Sequence, residues 1–290
     1  MEEWTLDGGK KDPAVEKNSI LGTRSKSTHL MIFLVLVLLA FTSAAGLLIE
    51  GVYEDPTHIK EAFLGIDLIT LTVAVPLLGI SLILSLRGKE RAKLISFGTI
   101  YFALKSYTFR LFGADYNYLF LTYVATFILS IFVLYLLLDD PETKRIGYHF
   151  DDSVPSRMVT IYMGVISSIL IAVQVVIYII FCYNGELPQF FFNGDFLSKI
   201  ISILDLAFIV PPGLLASYWL WKEKPLGKVL AIGWNLGLSI YYGSLSSAAL
   251  MAFQTGETEN IYELGLWVPI AVASLIIVVV LLDRMKVFKK

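Results

Sequence analysis

Eight apolar blocks, each about 20 residues or longer, constrain this chain more than any other feature. They run Leu30–Ile49, Ala62–Leu86, Leu94–Phe112, Asn117–Leu138, Met158–Tyr183, Phe196–Trp221, Leu226–Ala252 and Tyr262–Leu282. At 1.5 Å rise per residue, about 20 residues cross a hydrocarbon core about 30 Å thick. The 290 residues are 56% hydrophobic and 17% charged, where soluble domains average about 45–50% and about 25%. Mean hydropathy is +0.71. The pattern predicts an all-α polytopic membrane protein with eight transmembrane helices. The first block ends in Thr42-Ser43-Ala44-Ala45-Gly46, which imitates a signal-peptide cleavage site. Its apolar run continues to Ile49, so it is expected to stay as a membrane helix.

The loop charges alternate in step with the blocks. Lys and Arg collect on the cytoplasmic side of membrane helices. Here they fill the amino tail, the Arg87–Lys93 turn, the segment holding Lys144, Arg145 and Arg157, the turn holding Lys222, Lys224 and Lys228, and the carboxyl tail. Together these hold nineteen of the 23 bases. Both termini are therefore expected in the cytoplasm of a cell whose cytoplasmic membrane holds the protein. The expected organisation is a tail (1–28), a four-helix half (29–138), a cytoplasmic linker (139–157), a second four-helix half (158–283) and a basic tail (284–290). The opposite loops are acidic. Such a vestibule draws cations, although excluding bases from that side already produces it. Tyr53, Tyr116, Tyr183, Trp221 and Trp267 at block ends read as interfacial belts.

Two blocks carry both an acid and proline: Asp67 with Pro76, and Asp205 with Pro211-Pro212. Setting Pro76 on Pro211 aligns the following 23 residues without a gap, with Lys89 on Lys224 and Gly98 on Gly233. Four helices per half make this a parallel repeat about an axis along the membrane normal.

Charges at membrane depth usually face a protein interior or wet cavity. Counting up from the basic turns puts Asp205 roughly 25 Å, Asp67 roughly 30 Å and Lys105 roughly 18 Å from the cytoplasmic side. One outward-facing polar site follows, with Asp205 and Lys105 central and Asp67 and Arg110 at its mouth. Asn235, Ser239, Tyr242 and Ser246 share one helical face, Tyr101, Lys105 and Thr108 another. Thr122, Thr126 and Ser130, with Gln174 and Tyr178, complete the candidate lining. The plainer reading makes the hydroxyl rows packing surfaces, Asp205–Lys105 an ion pair joining the halves, and Arg110 a snorkelling cation.

No cofactor or metal is expected: His29, His58 and His149 lie outside the blocks, a single cysteine (Cys182) forms no cluster, and no phosphate-binding glycine loop occurs. The stretches Asp67-Leu68-Ile69-Thr70-Leu71 through Pro76, Phe112-Gly113-Ala114 with Asn117, and Asp205-Leu206 through Pro211 resemble a family of uncharacterised bacterial and archaeal multi-pass membrane proteins. That resemblance implies the eight-helix fold and no activity. The expected function is binding, and in its stronger form transport, of a small polar or amphiphilic solute at Asp205, Lys105, Asp67, Tyr101, Asn235, Ser239 and Tyr242. The alternative is a scaffold or sensor subunit acting through a protein partner or a second copy. Catalysis is disfavoured, the bilayer is the expected surrounding, and no nucleic-acid partner is expected.

Overall fold

The computed structural model describes residues 13–148, 150–151, 154–185, 200, 202–257 and 261–285. The expected start of the sixth block at Phe196, and the basic residues beyond Met285, lie outside the described residues. Ten α-helices appear among the described residues: α1 (Pro13–Leu48), α2 (Thr57–Ile69), α3 (Val75–Leu86), α4 (Glu90–Gly113), α5 (Phe120–Asp139), α6 (Pro141–Ile146), α7 (Ser156–Asn184), α8 (Val210–Trp221), α9 (Pro225–Gln254) and α10 (Leu264–Asp283). The helix α1 begins well inside the segment expected to be a tail.

Among the described residues, seven segments are long and apolar enough to cross a membrane: Ser25–Leu48, Ile59–Leu86, Phe120–Asp139, Ser156–Asn184, Ser202–Trp221, Pro225–Gln254 and Leu264–Asp283. This is the build of a multi-pass membrane protein. Apolar side chains such as Leu30, Ile80, Ile128, Ile161, Ile179 and Val279 stay exposed along these helices; water would oppose that arrangement and lipid tolerates it. The remaining block, α4, does not meet the same standard, because Glu90, Arg91, Lys93, Lys105 and Arg110 dilute its apolar residues. It is instead enclosed. Nearly all of Ser96 to Arg110 is buried, against α3, α5 and α9.

The helix α9 is the other interior element, with 67% of its apolar window buried against 11% for α7. It meets α4 through glycines. A side chain at Gly98 would strike Leu236, one at Gly233 would strike Phe97, and one at Gly237 would strike Tyr101. Small residues at such crossings let backbones approach closely and gain dispersion contacts without a hydrophobic drive.

The two proline helices share one local build. A five-residue π turn, Thr70–Ala74 in one and Asp205–Ile209 in the other, ends immediately before a Val-Pro pair. The Val75 and Val210 N–H groups then bond five residues back, to Thr70 and Asp205. Corresponding positions stand 135 residues apart throughout: Thr70 and Asp205, Val75 and Val210, Leu86 and Trp221, Glu90 and Pro225. The turns after α3 and α8 match as well, with Gly88 at φ 75° and Glu223 at φ 54°.

The 139–157 segment is not a free loop. Asp140 caps α6 by accepting from the Glu142 N–H, and Lys93 bridges to Asp140 at 2.7 Å. Arg91 donates to the Met285 carbonyl at 2.8 Å, and the Asp151 N–H donates to Arg284 at 3.0 Å. These contacts tie the basic ends of α4 and α10 together.

Candidate functional site

The helix α4 carries two bases at membrane depth, Lys105 and Arg110, five positions apart. At 100° per residue they point roughly 140° apart, so each meets a different partner. The sequence expectation of one site with Asp67 and Arg110 at its mouth is therefore corrected: there are two separate ion pairs.

The first joins α2 to α4. Arg110 Nη2 lies 2.7 Å from Asp67 Oδ1, and both side chains are 0% exposed. The Tyr53 hydroxyl donates to Asp67 Oδ2 at 2.6 Å and accepts from Arg110 Nη1. Four rings surround the guanidinium carbon: Phe63 at 5.3 Å, Tyr107 at 5.5 Å, Tyr123 at 5.7 Å and Tyr53 at 5.8 Å. Ring faces attract a desolvated cation by about 2 kcal/mol. Gly46 of α1 makes the room: a side chain there would collide with Asp67 and Tyr53. Arg110 does not snorkel, because its charge is neutralised inside. Tyr53 is not an interfacial belt residue either; it is buried at 4% exposure, since its hydroxyl is needed by both charges. Arg110 Nε and the Tyr123 hydroxyl take no hydrogen bond among the described residues.

The second pair joins α4 to the π turn preceding α8. Lys105 Nζ lies 2.8 Å from Asp205 Oδ1, the lysine 4% and the aspartate 15% exposed. Lys105 Nζ also stands over the Tyr241 ring, 2.9 Å from its centroid. The Tyr241 hydroxyl is 3.5 Å from Asp205 Oδ1, too long for a strong bond. Asp205 is thus the accessible member of the two pairs, and it sits where the helix is locally over-wide.

The backbone around Asp205 is held by side chains from neighbouring helices. Proline has no N–H, so Pro212 leaves the carbonyl four residues back, Phe208, without its helical donor. The Tyr101 hydroxyl donates to that carbonyl. The Trp234 indole N–H donates to the next one, Ile209, at 2.9 Å. Broken helices are tolerated at membrane depth when neighbours supply such donors.

The remaining predicted residues divide. Tyr242 packs its ring 5.3 Å from Tyr241, beside the second pair. Asn235 is buried and turns its amide back to the Ala231 carbonyl at 2.8 Å, with Oδ1 taking no bond among the described residues. Ser239 is half-buried between them on α9. Thr126 and Ser130 donate to carbonyls of their own helix, as packing residues do. Tyr178 is 67% exposed and lines no interior site, since α7 lies at the edge of the bundle. Tyr241, Trp234 and Tyr53 contact these pairs and the π-turn backbone and were not among the sequence candidates. No family model, curated protein or solved structure matches the chain.

Proposed function

We propose that this chain binds a small polar solute at Asp205 and Lys105, from the non-cytoplasmic side of a cell membrane. The observation that carries the reading is the contrast between the pairs: Asp67–Arg110 is enclosed completely, whereas the Asp205 side chain stays 15% exposed on a π turn. Such bulges inside helices recur at functional sites. A solute offering a cation or several donors competes with Lys105 for that carboxylate. Tyr101, Tyr241 and Tyr242 supply hydroxyls and ring faces around it, Asn235 and Ser239 the polar depth below it, and Asp67 anchors the neighbouring helix rather than touching the solute. The two proline-weakened helices are the elements able to move if the solute is carried across.

The architecture that goes with this reading is eight membrane helices in two parallel four-helix halves, with both termini cytoplasmic. The constant 135-residue offset between the two proline helices supports it. So does α4: its 24 residues reach roughly 36 Å at the helical rise, and neighbouring helices cover its charges.

A second reading, a scaffold or sensor subunit, is favoured by the saturation of Asp67–Arg110, which leaves no charge for a ligand. Native mass spectrometry of the protein extracted gently from its own membrane separates the two. The binding reading expects a small molecule retained by the wild type and absent from Asp205→Asn. Bare protein in both, with Asp205→Asn simply less stable and Lys105→Met restoring it, supports the scaffold.

A further inference from the structure

A second built feature lies away from both ion pairs, between the start of α7 and the turn joining α8 to α9. Ser156, Arg157, Thr160, Ile161, Leu220, Trp221 and Glu223 line a cavity of about 370 Å³, many times the roughly 30 Å³ share of one water. Arg157 and Glu223 face this space without forming an ion pair with each other among the described contacts. From its apolar side a groove continues up α7, past Thr160, Gly164, Ser168 and Ala172, against Ser217 and Trp221. These α7 residues recur every fourth position, so they form one stripe on the helix. Thr160 lines both spaces at 5% exposure, and its buried hydroxyl has no hydrogen-bond partner among the described residues.

Glu223 adds a further peculiarity. It is the one non-glycine residue with positive φ among those described, and its counterpart Gly88 has the residue that conformation favours. A side chain there is strained, so glycine would serve the turn better. The glutamate gives the turn nothing that Gly88 lacks, except a carboxylate in the cavity.

We propose that this cavity and groove hold one phospholipid whose headgroup carries both a phosphate and a primary ammonium. Arg157, at the start of α7 where the helix dipole also favours anions, takes the phosphate. Glu223 takes the ammonium, and an acyl chain lies along the small-residue stripe. From Thr160 to Ala172 is roughly 18 Å of helix, about the depth of one leaflet's hydrocarbon. The separation of the two opposite charges in one cavity fits a zwitterion better than a second copy of α7, which would bring no paired charges to the mouth.

The test uses the full chain, delipidated in detergent and titrated with equal phosphatidylethanolamine and phosphatidylglycerol, read by native mass spectrometry beside melting temperature. The expected result is one retained phosphatidylethanolamine per chain at about tenfold preference, one charge-assisted contact's worth of discrimination. Glu223→Gly is expected to lose that preference, hold phosphatidylglycerol as before, and melt no lower than wild type, because the strain is relieved. Arg157→Gln weakens both lipids, and Gly164→Leu, filling the groove, retains neither. Asp205→Asn leaves lipid retention unchanged, which keeps this site separate from the solute site. Equal preference in wild type and Glu223→Gly overturns the proposal. So does a two-chain mass that Gly164→Leu splits without any lipid bound, which would put a second copy in the groove.

Discussion

The two ion pairs share one helix and differ in what closes over them. Arg110 reaches its acid inside a cage of four rings, one of them the bridging tyrosine, and every carboxylate oxygen of Asp67 is engaged. Lys105 has one carboxylate oxygen and one ring face, and its acid remains partly open. Desolvating two charges is expensive, and only complete satisfaction recovers that expense. The first pair therefore behaves as an internal strut between α2 and α4. On the proposed reading the second is a pair that can be exchanged, water or a solute replacing what Lys105 supplies.

The largest expected effect comes from breaking the strut. Asp67→Asn leaves a guanidinium uncompensated at membrane depth and is expected to cost about 3–5 kcal/mol, read as thermal unfolding in detergent. Asp67→Leu with Arg110→Met is expected to regain most of it. If the double variant is as unstable as the single one, the cage rather than the charge pair holds the helices. Next, Gly46→Ala pushes a methyl into Asp67 and Tyr53, an overpacking expected to cost about 1–3 kcal/mol; the equivalent change at Gly79, which meets only Leu36 side-chain carbons at 3.7 Å or more, should be close to neutral. Asp205→Asn is expected to cost less than Asp67→Asn, about 1–2 kcal/mol, because its own side chain is not sealed. Equal losses at the two acids would erase the distinction. Tyr101→Phe strips the Phe208 carbonyl of its donor and is expected to cost about 0.6–1.7 kcal/mol, the range of interhelical bonds in membranes, while changing ligand retention more than stability.

The smallest effect is a pH slope beside the strut. Asp55, two residues after Tyr53, accepts the Asp115 N–H at 2.8 Å, and burial pushes its carboxyl above the ordinary carboxylate range. The folded chain then holds this proton to higher pH than the unfolded chain. Stability is fully present below the ordinary carboxylate value and falls as pH rises to the raised one. Asp55→Asn should flatten unfolding stability across that window. A slope that survives the substitution would assign it to another group.

Much of the fold is legible in the sequence because lipid imposes one period and one length. Seven of the eight blocks reappear as spanning helices, and the two proline helices can be paired by eye. The block that departs, Leu94–Phe112, departs because Lys105 and Arg110 dilute its apolar residues; that these face protein, periodicity cannot reveal. The site was half legible. Two charges of opposite sign at membrane depth suggest the Lys105–Asp205 contact, although counting sets them roughly 7 Å apart in depth. Depth alone could not assign Arg110: it stands 17 residues from Lys93, as Asp205 stands 17 from Lys222, whereas Asp67 stands 20 from Arg87. Tyr53 and Tyr241 were hidden for another reason. A tyrosine at a block end is usually interfacial, and Tyr241 lies one position off the face counted from Asn235, so only the packing discloses them.

The central claim, that one pair is sealed and the other open to the outside, is tested most directly by cysteine accessibility in intact cells. Cys182→Ser removes the lone native thiol, and Asp205→Cys with Lys105→Met is compared with Asp67→Cys with Arg110→Met. A membrane-impermeant thiol reagent is expected to label the Asp205 position from outside within minutes, and the Asp67 position only after denaturation. Labelling of both at equal rates, or of Asp205→Cys only after the cells are opened, would contradict the account.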